Sequence, residues 1–169
     1  MENIASKESD TFLPISFDFR APQGREAAAA RGGYYGVRST PSFYIDGTKA
    51  AGNMLEQAIE AALKPDASVS LTGSKRTRQQ AVQVSGTVKN VSGEDDLSDL
   101  TVFVFAYEPG KNTKHSVNTV REIVGTTDIS TLKAGATRKF SVTGKSGNLK
   151  IVVAVFDSSK KCLNAVKVD

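Results

Sequence analysis

The chain has 169 residues, of which 39% are hydrophobic and 24% charged, with a formal net charge of +4 and a pI near 9.2. That length can bury one large core or two small ones, and no apolar run is long enough for a membrane-spanning helix. A single cysteine and a single histidine exclude an intrachain disulfide, a CxxC dithiol and a multi-histidine metal site.

Residues 1–11 contain the stretch "MENIASKESD", which has charges of both signs and no apolar segment of signal-peptide length, and is expected to be a disordered or tag-like start. "FLPISFDF", residues 12–19, reads as a strand, with Pro14 arguing for an edge or an irregular start. The Ala-rich "GREAAAARGG" predicts a short helix from about Gln23 to Arg31, stopped by the glycine pair. "RSTPSFYIDG" follows: Thr40-Pro41, an apolar strand run from Ser42 to Ile45, and Asp46-Gly47, a hairpin-turn dipeptide. In "NMLEQAIEAALKP", Asn53 and Glu56 have capping-box spacing, and Leu55, Ala58, Ile59, Ala62 and Leu63 form one apolar stripe closed by Pro65.

Beyond Pro65 the hydrophobic period changes from helical to two. Val82, Val84 and Val88 alternate with polar residues, Leu100, Val102, Val104 and Ala106 recur with the same period of two, and Leu149 to Asp157 is apolar on both faces and reads as a central strand. Shorter runs lie at 68–72, 121–124, 137–142 and 164–168, separated by turn signals. About seven short strands at this spacing predict an antiparallel sandwich of immunoglobulin or fibronectin type, without the Cys and Trp signature of true immunoglobulin domains. Two domains are expected, residues 12–65 and 66–169.

Candidate chemistry is sparse. Lys75 to Arg78, "KRTR", is the densest basic cluster and reads as a solvated turn; no aromatics interleave with it, so no nucleic-acid partner is expected. Glu94, Asp95, Asp96 and Asp99 crowd one segment and are a candidate Ca²⁺ site, against a solvated acidic turn, since the spacing is not that of an EF-hand. No GxSxG elbow accompanies the Ser, Asp and His residues, so a hydrolase triad is not expected. Phe103, Phe105 and Tyr107 share a strand face, where a core or inter-domain contact fits better than a sugar platform. Cys162 reads as an inert strand cysteine.

Tyr35, Val37, Thr40, Pro41, Phe43, Ile45 and Gly47 have the spacing of the C-terminal half of a thioredoxin fold, and residues 12–64 resemble that half. The resemblance implies a cis Thr40-Pro41 bond and makes Thr40 and Pro41 a vestigial loop, because no CxxC-bearing helix precedes them and dithiol exchange needs a thiolate. With "KHSVNTVREIVG", in which His115, Val117 or Val120, and Arg121 carry the match, and the ending "LKIVVAVFDSSKKCLNAVKVD", the chain resembles the thioredoxin-like outer-membrane-protein family. The resulting expectation is an α+β protein: a truncated thioredoxin-like α/β unit followed by an all-β sandwich. Its function would be that of a non-catalytic, exported protein of the cell envelope or exterior, with the sandwich as an interaction or structural module. The alternative is a fragment of a thiol-disulfide oxidoreductase whose CxxC half is missing. No catalytic residue and no cofactor is assigned. An unidentified protein partner is open, and a monomer is expected, with a dimer through an exposed strand edge as the alternative.

Overall fold

The computed structural model describes residues 14–20, 22, 24–62, 67–79, 81–110, 118–145 and 149–168. In chain order these form strand β1 (Ile15–Ser16), helix α1 (Arg25–Tyr35), β2 (Phe43–Ile45), β3 (Thr48–Ala50), a 3-10 turn (Gly52–Met54) and helix α2 (Leu55–Ala62). Strands follow: β4 (Val69–Arg78), β5 (Ala81–Asn90), β6 (Leu97–Glu108), β7 (Asn118–Leu132), β8 (Thr137–Gly144), β9 (Lys150–Phe156) and β10 (Cys162–Val168).

Period-two patterning builds two facing sheets. Strands β4, β5 and β8 form an antiparallel three-stranded sheet, and a five-stranded sheet has the order β1-β7-β6-β9-β10. Between them Val82, Val84, Val88, Val102, Val104, Ile151, Val153 and Val155 are buried. Each fully buried Val, Leu or Ile there contributes about 1.5–3 kcal/mol. The run expected to be apolar on both faces is β9, which pairs with β6 and β10 and is buried throughout Ile151–Phe156. A second apolar cluster covers the other face of the large sheet: Phe103, Phe105, Tyr107, Val152, Ala154 and Phe156 lie against Ala27 of α1, with Ile15, Phe17 and Tyr34 packed around them. The molecule is therefore layered, with α1 on the five-stranded sheet and that sheet on the three-stranded one.

Two polar and glycine positions fix the seams. Asn90 is fully buried. Its side-chain amide donates to the carbonyls of Leu132 (3.0 Å) and Asp95 (2.8 Å), and its side-chain oxygen accepts from the Ser92 backbone and hydroxyl. Gly86 pairs with Phe140 across β5 and β8 and lies beneath its ring, so a Cβ there would meet both the ring and the Thr72 carbonyl.

The α+β expectation is corrected: the protein is mostly β, and the described residues between 12 and 65 form no thioredoxin-like α/β unit. β1 does not join β2. It adds in parallel to the edge of the large sheet, Ile15 opposite Asn118 and Ser16 opposite Thr119, where the Asn118 amide also donates to the Pro14 carbonyl at 3.1 Å. β2 pairs only with β3, as a separate two-stranded ribbon. The physical reason is the aromatic face of the large sheet: β1 extends that sheet at its edge and α1 covers the face, with Ile15 and Phe17 packed beside it. β1 and β2 therefore belong to different sheets.

Helix boundaries also differ from the sequence reading. Helix α1 runs through Gly32-Gly33 and stops at Gly36, whose left-handed conformation (φ 65) closes the end: the Gly36 N–H bonds the Gly33 carbonyl and the Val37 N–H the Gly32 carbonyl. The glycine at 32 serves contact, since a Cβ there would meet the Phe19 ring at 2.7 Å. Asn53 lies inside the 3-10 turn that precedes α2 and not at the cap position directly before Leu55. Gln23, Leu63, Pro65 and the residues 1–11 lie outside the described residues.

Candidate functional site

The outer side of the three-stranded sheet is the most distinctive surface. On β4, Val69 and Leu71 point to the core, so Ser70, Thr72, Ser74, Arg76 and Arg78 point out, and all five are exposed. The register sets Lys89, Thr87, Ser85, Gln83 and Ala81 of β5 opposite them, and Thr137, Lys139, Ser141 and Thr143 of β8 beyond. None of these positions is acidic or aromatic. Lys and Arg total 22 in the whole chain and Asp and Glu 18; taking away Arg76, Arg78, Lys89 and Lys139 leaves the two signs balanced, so this one face carries the equivalent of the protein's entire net charge.

Its hydroxyls are aligned across the strands. The Thr72 and Thr87 hydroxyls share a hydrogen bond of 2.8 Å, those of Ser74 and Ser85 lie 3.3 Å apart, and the Gln83 amide donates to the Ser141 hydroxyl at 3.3 Å. Two shallow hollows open on the face, one lined by Arg76, Arg78, Ala81, Gln83 and Thr143, the other by residues that include Ser74, Ser85, Thr87, Lys139 and Ser141. The basic cluster Lys75–Arg78 is thus a strand and not a turn: alternation turns Arg76 and Arg78 to the outer face, and Lys75 and Thr77 to the other.

On the opposite side of the molecule lies a buried cation. Arg31 of α1 is 5% exposed. Its guanidinium carbon sits 4.2–5.4 Å from the ring centres of Tyr34, Tyr35, Phe103, Phe105 and Phe156. One terminal nitrogen donates to the Tyr35 hydroxyl at 2.8 Å, while Nη1 has no hydrogen-bond partner among the described residues. Burial lowers the Arg31 pKa and, through loss of solvent, raises that of Tyr35 to about 12, though the neighbouring guanidinium opposes the rise. Tyr35 also stacks on Tyr44 of the β2-β3 ribbon, with ring centres 4.2 Å apart.

Cys162 borders this cluster at the start of β10. Burial, and next the Asp46 carboxylate, push its thiol up to about 12, which disfavours the nucleophilic thiolate. Its backbone N–H donates to the Asp46 carbonyl at 3.1 Å, tying the β2-β3 turn to the large sheet.

The Thr40–Pro41 bond is cis, and both residues are exposed on the loop before β2. Glu94, Asp95 and Asp96 lie in the β5-β6 turn and Asp99 in β6. Asp96 is engaged as an acceptor from the Ala134 N–H at 2.9 Å, and no group of three or more His, Cys, Asp or Glu among the described residues converges as a metal site. His115 and Val117 lie outside the described residues. Arg121 forms an ion pair with Glu108 at 2.6 Å, and Val120 is buried in the aromatic cluster. Phe103, Phe105 and Tyr107 are buried beneath α1, which settles their face as a packing surface. Among the described residues no helix is long and apolar enough to cross a membrane.

No family model matches the chain, and no curated protein matches it. Solved structures similar to it include a β-glucosidase from Kluyveromyces marxianus in complex with glucose (15% identity, TM-score 0.34, covering 60% of this chain and 14% of that one). A GH20 exo-β-N-acetylglucosaminidase from Vibrio harveyi in complex with N-acetylglucosamine is similar at 13% identity and TM-score 0.29, over 60% of this chain and 18% of that one. A structural-genomics protein from Agrobacterium tumefaciens is 12% identical at TM-score 0.43, over 87% of this chain and 70% of that one. The chain spans about a seventh of the glucosidase's length. Likenesses this distant identify neither a family nor an activity.

Sequence reasoning missed both constellations. The outer face was within reach, since "VSLTGSKRTR" places its hydroxyls and arginines on one parity of β4. The Arg31 cluster had only a faint signal, an Arg one helical turn before a Tyr at i+4.

Proposed function

We propose that this protein is a non-catalytic binding module that engages an extended partner through the outer face of the β4-β5-β8 sheet. The observation that carries this reading is a set of four cations, Arg76, Arg78, Lys89 and Lys139, with no carboxylate at the outward positions of one exposed sheet face. Charge gathered in this way steers association and selects partners by sign. The hydroxyls of that face bond to one another across the strands, as groups that offer hydrogen bonds to a ligand and not as nucleophiles beside a base. The one thiol of the chain is held protonated by its burial, which supports binding over thiol chemistry. Export to the cell envelope or exterior belongs to the same reading and rests on the family resemblance; fractionation of cells producing the full-length protein checks it.

The test is amide chemical-shift mapping with a panel of soluble polymers: polyglutamate, heparin, alginate, oligothymidylate, polylysine and dextran. Shifts are expected on β4, β5 and β8 with whichever anionic polymer binds. Shifts centred on residues 37–47, or cleavage of any polymer in the panel, would overturn the reading.

A further inference from the structure

We propose that the partner of this sheet face is an anionic polysaccharide, an inference that rests on the binding reading above and adds the class of ligand. Three observations carry it. The cations form two spaced pairs: Arg76 and Arg78 are two apart on β4 and line one hollow, while Lys89 and Lys139 are diagonal neighbours on β5 and β8 towards the other end. Arg76 lies on β4 and Lys139 on β8, with the Ser85 position of the middle strand between them. Residues two apart on a strand are separated by about 6.6–6.8 Å and adjacent strands by about 4.8 Å, so Arg76 and Lys139 stand about 13 Å apart along the strands and about 10 Å across them. A single phosphate engages one such pair; a polymer with a charge on successive units engages both.

The positions between the charges are hydroxyls and an amide, already aligned by the Thr72–Thr87 and Gln83–Ser141 hydrogen bonds. They can give and take hydrogen bonds with the hydroxyl, carboxylate or sulfate groups of a sugar chain without leaving a buried polar group unpaired. No aromatic side chain stands at the outward positions of the face; Phe140, which borders one hollow, is buried in the core between the sheets. Single-stranded nucleic acid draws about 1–3 kcal/mol per base from stacking on aromatics, which this surface cannot supply. The outward positions include no apolar side chain larger than Ala81, so the face has nothing to insert into a lipid surface.

The experiment measures the affinity of the full chain for heparin, a sulfated polysaccharide, and alginate, a uronate, as salt is raised. Dextran, oligothymidylate and vesicles containing phosphatidylglycerol are run alongside. Binding to heparin, alginate or both is expected, separating sulfate from carboxylate recognition, with affinity falling as salt rises and none for dextran. The double variant Arg76→Ser, Lys139→Ser should lose about tenfold and show a shallower salt dependence. Arg38→Ser with Lys49→Ser removes the same charge at exposed positions off the face and should bind within about twofold of the parent, since charges beyond a Debye length are screened. All four sites are exposed, and circular dichroism confirms that each variant folds.

Equal losses in the two double variants would overturn the proposal in favour of net charge alone. Tighter binding of oligothymidylate or vesicles than of both polysaccharides, with shifts still on β4, β5 and β8, would overturn the ligand class and leave the face standing. Unchanged binding of the Arg76, Lys139 variant would sink the face and the ligand together.

Discussion

Arg31 is a charge buried with rings around it and no carboxylate paired to it among the described residues. Two effects oppose each other there. Desolvation disfavours the guanidinium, while each ring face it meets returns about 0.5–2 kcal/mol as a desolvated cation–π contact, and the planar group fills the space between Tyr35 and Phe156. The packing contribution wins: Arg31→Ala should destabilise the protein by about 2–4 kcal/mol in urea unfolding, whereas Arg31→Met, which keeps the stem and removes the unpaired Nη1, should stay within about 1 kcal/mol. An alanine variant as stable as the parent would show that the rings close over the gap unaided. The neighbouring Cys162 and Tyr35 set the response to alkali. Both have folded-state pKa values raised to about 12, from ordinary values of 9.0 and 10.0. A raised folded pKa means that the unfolded chain loses its proton first, so stability is full below about pH 9 and falls as pH rises from 9 to 12. Cys162→Ala should flatten the lower part of that fall, measured as unfolding free energy against pH.

At the level of elements, the β2-β3 ribbon has no sheet of its own to join and is held by its turn. Asp46 (φ 44) and Gly47 (φ 84) both adopt positive φ, the geometry of a two-residue hairpin turn that matches strand twist. The Asp46 carbonyl accepts from Cys162, and the Lys160 carbonyl occupies the space a Cβ at position 47 would need. Gly47→Ala is therefore refused twice, by backbone conformation and by contact, and should cost about 2 kcal/mol or more. The loss is local in this arrangement. Cys162 labelling by a thiol reagent should speed up by tenfold or more while the main melting transition shifts little; unchanged labelling would show that the ribbon is not what shields the thiol.

At the scale of the molecule, two apolar clusters share the five-stranded sheet. One lies between the two sheets and draws entirely on residues after 66, while the other needs Ala27, Ile15, Phe17 and Tyr34 from before it. A chain beginning at Asp66 should keep the first cluster and its dispersed amide spectrum, but leave Phe103, Phe105, Tyr107 and Phe156 uncovered. Aromatic patches of that kind bind hydrophobic dyes and associate. Strong dye binding and concentration-dependent sedimentation of the truncated chain are the expected outcome. A monomer without dye binding would mean that the large sheet can cover its own aromatic face.

By itself the sequence determined that seven strands follow residue 66 and, on β5, that Val82, Val84 and Val88 face the core, because a period of two is written residue by residue and one buried side suffices to select it. It also determined the hairpin at Asp46-Gly47, a matter of local φ, and the location of the single thiol on a strand. Only the tertiary structure decided where β1 pairs, how far α1 runs and what Arg31 lies against. Each depends on a surface assembled from distant parts of the chain: the edge of β7 for Ile15 and Ser16, the Phe19 ring for Gly32, and aromatic side chains from β6 and β9 for the guanidinium. The same holds for the basic face. The alternation in β4 shows two outward arginines, but only the register of β5 and β8 beside it reveals that no carboxylate stands among them.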